Sequence, residues 1–242
     1  MFHFSSFMKT TILILCPVAV LLPAGIAAAA TPVAQTSAEN AARCGGNDLD
    51  IALTGCTALI QSGQETAAAL AAIHQHRGID YYNKGLTDQA IADETAAIAL
   101  QPDFAAAYYD RGEAYLSKGL TDQAIADYTK AIALKPRYAA AYSDRGVAYG
   151  KLGLTDQAIT DETQAIAFLP GFAEAYYDRG MFYKNKGLTD LAIADDTKAI
   201  ALEPDYAEPY YNRGLAKQAK GDVTGGEADI ARARQLKVNI SQ

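Results

Sequence analysis

Apolar and polar positions along the chain fall into two-part units. In one of them Ala124, Ile125, Tyr128, Ala131 and Ile132 recur at steps of three and four, so they share one face of a helix that must be buried. A second helical pattern, opening at Ala105, precedes it, and Lys-Gly-Leu-Thr-Asp separates the two. In that separator Gly119 can end the first helix, and Thr121 or Asp122 can cap the second. Pro136 then stops the second helix. Gly112 has no side chain and is expected to lie opposite the small Ala124, so that the two helices cross at close range.

The unit repeats. Gly78, Gly112, Gly146, Gly180 and Gly214 recur every thirty-four residues, directly after Arg77, Arg111, Arg145, Arg179 and Arg213. A second glycine keeps the same step at Gly85, Gly119, Gly153, Gly187 and Gly221, and a proline does so at Pro102, Pro136, Pro170 and Pro204. A fixed period of this length marks stacked helix-turn-helix units that bury their apolar faces on one another. The expected fold is all-α, an alpha-alpha superhelix of about five repeats at 71–104, 105–138, 139–172, 173–206 and 207–240. The fifth is degenerate and reads as a C-terminal cap: Lys217 stands where Tyr115 would be, Gly225-Gly226 replaces a helical pair, and Arg232, Arg234 and Lys237 give a polar outer face. Residues 47–70 read as an N-terminal capping region, with 48–62 as a lone helix of the second type, and 31–46 as a linker.

Tyr108, Gly112, Tyr115, Ala124, Tyr128 and Pro136 together resemble the signature of the tetratricopeptide repeat (TPR). That resemblance implies a right-handed superhelix whose first helices line a concave wall. Two departures stand out: arginine replaces the usual leucine before each glycine, and Glu94, Glu162 and Asp196 take the place of Tyr128, where packing is expected to be looser or charge-paired. The family geometry further implies that Asp110, Asp144, Asp178 and Asn212 face the groove, with Tyr109, Tyr177 and Tyr211 one residue earlier and Glu113, Glu174 and Glu208 nearby. In peptide-binding relatives an asparagine at this place grips the ligand backbone, and only Asn212 keeps it. The family's clamp for a two-carboxylate chain end needs lysine and arginine that these positions lack. Two readings of the aspartates stay open. Either they favour a partner segment carrying lysine or arginine, with tyrosines stacking on it, or each simply pairs with Arg111, Arg145 or Arg179 of its own or the adjacent repeat.

Composition narrows the partners. The formal net charge is −7, and basic residues are interleaved with acidic ones, so neither nucleic acid nor an anionic membrane surface is an expected partner. Residues 1–30 read as a signal peptide: Lys9 is basic, Thr11 to Leu22 is apolar, and Ala28-Ala29-Ala30 offers a cleavage pattern. The apolar run is too short to span a bilayer, Cys16 lacks the context of a lipidation site, and Met8 is an alternative start. The product is expected to be exported, periplasmic or secreted, with the combination of leader and repeat pointing to a bacterium. Cys44 and Cys56 remain for an oxidising compartment, and a bridge between them would stabilise by roughly 3 kcal/mol, the other reading being two separate buried thiols.

No constellation for catalysis, cofactor or metal binding is expected. His74 and His76, two apart on a helix, point in different directions, and His74 stands at the place of Tyr108, as a packed core residue. The function this predicts is a non-catalytic protein-protein interaction scaffold or adaptor holding a protein or peptide on its solenoid surface. Alternatives are a structural, self-associating solenoid of the cell envelope and an enzyme using the acidic groove on a cationic substrate.

Overall fold

The described residues of the computed structural model are 36–240, with side chains to Lys237; the predicted signal peptide 1–30, with Met8 and Cys16, lies outside them. Helices account for the regular structure among the described residues. α1 (Ser37–Cys44) and α2 (Leu49–Ser62) are followed by five pairs: α3 (Ala67–Asn83) with α4 (Thr87–Leu100), α5 (Ala105–Ser117) with α6 (Thr121–Leu134), α7 (Ala139–Lys151) with α8 (Thr155–Phe168), α9 (Ala173–Asn185) with α10 (Thr189–Leu202), and α11 (Ala207–Ala219) with α12 (Val223–Ile240). The expected all-α helical-repeat superhelix is the fold observed.

Its curvature follows from which helices meet. Each first helix packs on its own second helix, and consecutive first helices, α3 on α5, α5 on α7, α7 on α9 and α9 on α11, also come together. Among the described residues no two consecutive second helices do. The side on which successive elements crowd is the concave one, so first helices form the inner wall. Alanines such as Ala124, Ala131, Ala158 and Ala165 are fully buried and let the backbones approach this closely.

The turn inside each pair is made by backbone. Gly119 takes φ 75°, its N–H reaches Leu116 O at 3.0 Å, and the next N–H, of Leu120, reaches back to Tyr115 O at 2.9 Å. α6 then starts at once, with Leu120 O accepting from Ala124 N–H at 3.1 Å. Neither Thr121 nor Asp122 caps it, contrary to the sequence expectation: the Leu120 cap position has no side-chain hydrogen bond, and Thr121 is already helical. Asp122 instead sits in the first turn, favourably placed against the positive end of the helix dipole.

The glycine does lie by the small alanine of its partner helix: a Cβ at Gly78, Gly146 and Gly180 would stand 3.4, 3.2 and 3.5 Å from the Ala90, Ala158 and Ala192 carbonyls, but a side chain comes nearer. A Cβ at Gly112 would lie 2.7 Å from Cε1 of Tyr128, which reaches across from α6 past Ala124. At Gly78 the obstacle is Glu94 Oε1, and at Gly146 it is Glu162 Oε1 at 2.9 Å, whereas at Gly180 nothing comes nearer than Asp196 Oδ1 at 3.4 Å. The glycine therefore makes room for one side chain of the second helix, and the room it must make varies. Gly112→Ala should cost about 1–3 kcal/mol by overpacking the Tyr128 ring. Gly180→Ala should gain about 0.5–1 kcal/mol from helix propensity. Urea unfolding of the two variants beside wild type checks the contrast, and equal effects would contradict it.

Part of the stretch read as a linker is helical, since α1 lies within 31–46. It is joined to α2 by the Cys44–Cys56 disulfide, which removes the reading of two separate thiols. Gly55 allows the contact, because a Cβ there would stand 2.7 Å from both Asn40 O and Cys44 N. α2 is a helix of the second type, capped by Asp48, which accepts from Asp50 N at 3.0 Å and Ile51 N at 3.1 Å. Its Thr57 accepts from Arg77 as Thr95 does from Arg111, so Cys56 occupies the position held by Glu94, Tyr128, Glu162 and Asp196 in the units that follow.

Candidate partner-binding groove

The arginine before each glycine works on the side away from the inner wall. Nε and Nη2 of Arg111 in α5 donate to Oδ2 and Oδ1 of Asp127 in α6 at 2.7 and 2.9 Å, and Nη1 donates to Thr95 in α4 at 3.0 Å. One guanidinium thus ties together two second helices that do not otherwise meet. Tyr108 and Tyr115 flank it, 5.7 and 5.8 Å from ring centre to guanidinium. Arg77, Arg145, Arg179 and Arg213 repeat the bidentate bond with Asp93, Asp161, Asp195 and Asp229, all buried aspartates. The hydrogen bond to Asp127 holds the Arg111 guanidinium above its usual range against the cost of burial.

Two rungs differ where a flanking tyrosine is replaced. His74, read from sequence as a packed core residue, is 13% exposed in its side chain and places Nδ1 2.8 Å from Asp93 Oδ1. Lys217, in the place of Tyr115, sets its ammonium 2.9 Å from Asp229 Oδ2.

With their forks filled from the second helices, the arginines are not the partners of Asp110, Asp144 and Asp178. Those aspartates stand half-buried on the inner wall. Asp110 accepts from Gln75 Nε2 at 2.5 Å, and Asp144 from the Tyr109 hydroxyl at 2.6 Å, each bond crossing from one first helix to the next. Burial pushes Asp144 up to about 6 despite the Tyr109 bond, with Glu174 adding to the rise. Burial, then Glu174 and Asp144, push Asp178 up to about 8. No basic side chain among the described residues acts on either carboxyl. Glu113 belongs to the same field: with burial it helps raise Tyr82 to about 12 and raises the hydroxyls of Tyr109 and Tyr128.

The tyrosines divide. Tyr109 packs against Tyr138 with ring centres 5.0 Å apart and against Tyr128 at 5.8 Å, and Tyr177 packs against Tyr206 at 5.2 Å. Asn212 hydrogen-bonds Tyr177. Tyr211 is exposed. Glu208 has Lys237 of α12 3.3 Å away, so the fifth unit brings a cation to that end of the groove. Sequence reasoning missed Tyr138 and Tyr206, which stand just before α7 and α11. Their signal was available: an aromatic recurs at Phe104, Tyr138, Phe172 and Tyr206 with the same period as the glycines.

Glu94, Glu162 and Asp196 form no salt bridge among the described residues, and looser packing is seen only at Asp196, which would leave 3.4 Å to a Cβ at Gly180. They are 1, 0 and 2% exposed, and Glu94 Oε1 and Oε2, Glu162 Oε1 and Asp196 Oδ1 find no hydrogen-bond partner among the described residues. Ser143 donates to the other Glu162 oxygen at 2.8 Å. Burial pushes Glu94 up to about 11 and Asp196 to about 8, and Glu162 well above the carboxylate range. Burying the charged form costs more than holding the proton, so burial favours the neutral acid at these three positions.

Residues 114–153 match the sequence profile of the TPR repeat, and residues 173–206 that of the tetratricopeptide repeat. This is a tetratricopeptide-repeat protein. Among solved structures, the TPR chain is similar to MamA at 27% identity and TM-score 0.62, over 68% of this chain and 96% of that one. It is similar to YrrB, described as a TPR protein with an unusual peptide-binding site, at 21% identity and TM-score 0.60, over 75% and 91% of the two chains. PilF of Pseudomonas aeruginosa shares the TPR fold at 15% identity and TM-score 0.67, over 71% and 78%. A comparison with curated protein sequences gave no match. A TPR solenoid is in general a scaffold for protein interaction. Among the described residues no three His, Cys, Asp or Glu side chains gather as metal ligands, and no helix is long and apolar enough to cross a membrane.

Proposed function

We propose that this protein is a non-catalytic adaptor that holds a lysine- or arginine-bearing segment of a partner protein against its acidic inner wall. The observation that carries the reading is a division of charge. The repeat arginines are consumed by Asp93, Asp127, Asp161, Asp195 and Asp229, while Asp144 and Asp178 keep raised pKa values because no cation among the described residues reaches them. A cationic side chain entering the groove would supply the missing charge, and steering by the net charge of −7 would speed the encounter. An open wall of helices is poorly suited to excluding water from a nucleophile and base, which favours binding over catalysis. The Cys44–Cys56 bridge fits an exported protein working in an oxidising compartment, as the leader-like residues 1–30 imply.

The test compares Asp110→Asn/Asp144→Asn/Asp178→Asn with a control of equal charge change on the exposed turns, Asp88→Asn/Asp122→Asn/Asp156→Asn. Binding of fluorescent arginine-rich peptides, followed by anisotropy, should weaken at least about tenfold in the first variant and about twofold or less in the second. Equal losses would reduce the effect to general electrostatics and remove the groove as the site.

A further inference from the structure

We propose that the groove contains two subsites for organic cations, one where Tyr109 and Tyr138 meet Asp110 and Asp144, the other where Tyr177 and Tyr206 meet Asp178. Together they take two basic side chains of one extended partner segment. This inference rests on the acidic groove as the binding surface and adds to it which side chains of the partner are read, and at what separation.

The duplication is the first argument. The two tyrosine pairs are equivalent positions two repeats apart, with ring centres 5.0 and 5.2 Å apart and planes inclined at 36° and 55°. In the units between and before them the corresponding residues are Ser143 with Phe172 and Gln75 with Phe104, so the pair of phenols beside a carboxylate arises only at these two places in the series. Tilted aromatic faces beside an acidic side chain suit an ammonium or guanidinium group. The chain's own Lys135 ammonium already stands 4.0 Å from the Tyr138 ring centre, so a partner's cation would take the face of the first pair that Lys135 does not cover. A metal ion is a poor occupant, since no three ligating side chains gather among the described residues.

A second, independent observation points to a ligand. Tyr128 packs beside Tyr109 at 5.8 Å, and its hydroxyl, in a residue 0% exposed, has no hydrogen-bond partner among the described residues. Its ring packs on Tyr109, which places it beside the first subsite, and burial, then the nearby Asp144 and Glu113, raise its hydroxyl well above the usual range. A buried hydroxyl without a partner is costly, and an N–H donor arriving between the aspartates would relieve it. In the equivalent position of the second subsite, Asp196 Oδ1 is likewise buried without a partner among the described residues.

The spacing follows from packing. Neighbouring first helices pack about 8–10 Å apart, so two repeats span about 16–20 Å. An extended chain advances about 3.3 Å per residue, which places the two basic side chains about five or six residues apart.

The experiment uses the purified protein and a series of otherwise neutral peptides carrying two arginines at increasing separations, with a single-arginine peptide as reference. Affinity should peak at a separation of about five or six residues, at least about tenfold above the reference, because the second contact becomes intramolecular. Tyr177→Leu and, separately, Asp178→Asn should each remove the peak, leaving the variant's affinity indifferent to the separation of the arginines. Binding that is retained but indifferent to separation would overturn the two subsites while leaving the acidic groove in place. No binding by any arginine peptide would overturn the groove reading itself. An alkyl diamine of matching span that binds as tightly as the best peptide would overturn a partner segment as the occupant.

Discussion

Arg145→Met is expected to lower the stability of the solenoid by about 3–5 kcal/mol, among the largest effects of any single substitution here. The reason is what remains rather than what is lost. Asp161 is 5% exposed and takes both arms of the Arg145 fork at 2.8 and 2.9 Å, so the variant leaves a carboxylate buried beneath Tyr142 and Tyr149 without its counter-ion. The tie to Thr129 in the preceding unit goes with it. Pairing the change with Asp161→Leu should restore most of the loss, since a buried ion pair replaced by apolar groups of similar volume is often close to neutral. Urea midpoints of the single and double variants settle the matter: a single variant within about 0.5 kcal/mol of wild type would show that the rung carries no stability. Unfolding of a repeat array need not be two-state, so the comparison should follow the same probe throughout.

Raising the pH should loosen the protein. An acid whose pKa is higher folded than unfolded binds its proton more tightly in the fold. Its contribution is therefore complete below the unfolded carboxylate value of about 4.3 and drains away as pH climbs through the folded value. For Asp196 that decline runs to about pH 8, with Arg213 and Lys184 opposing the rise in pKa and Asp195 and Asp229 adding to it. For Glu94 it runs to about 11, with Asp110, Asp93 and Glu113 adding and Arg111 opposing. Glu94→Gln keeps the shape of the neutral acid and cannot ionise. It should match wild type at pH 5 and exceed it at pH 9 by more than about 1 kcal/mol, a little under the worth of a tenfold difference in proton affinity between the folded and unfolded chain. Denaturation curves at the two pH values test this, and parallel behaviour of the two proteins would mean that Glu94 is already charged in the fold.

The repeat and its fold were open to reading because the residues that set them, the helix-ending Gly119 and its equivalents and the helix-stopping Pro136, act through the backbone alone and recur at an unvarying step. The rungs were harder. Arg111, Arg145 and Arg179 each have one aspartate directly before them and another sixteen residues later, both recurring with the same period, and only the direction in which the second helix presents the later one, Asp127 for Arg111, decides between them. The state of Glu94, Glu162 and Asp196 depends on burial, which the chemistry of a carboxylate alone argues against. α1 escaped notice because a polar segment of eight residues has little helical stability of its own and is held by its bridge to α2. On the inner wall the aspartates were placed by analogy, whereas Tyr138 and Tyr206, contributed by the short links between units, lay outside the helical pattern that was followed.

The rung that joins Thr95, Arg111 and Asp127 has a consequence for inheritance. Each of the first four units offers a threonine (Thr95, Thr129, Thr163, Thr197) to the unit after it, and every unit offers an arginine to the helix before it, so a duplicated internal stretch of gene arrives with compatible joints at both ends. Such a chain lengthens or shortens by whole units without inventing a new interface. The two tyrosine pairs travel as passengers in that process: one unit inserted between them leaves each intact and widens the motif that the groove would read. Recognition can diverge by changing length, while the residues that keep neighbouring units together stay the same.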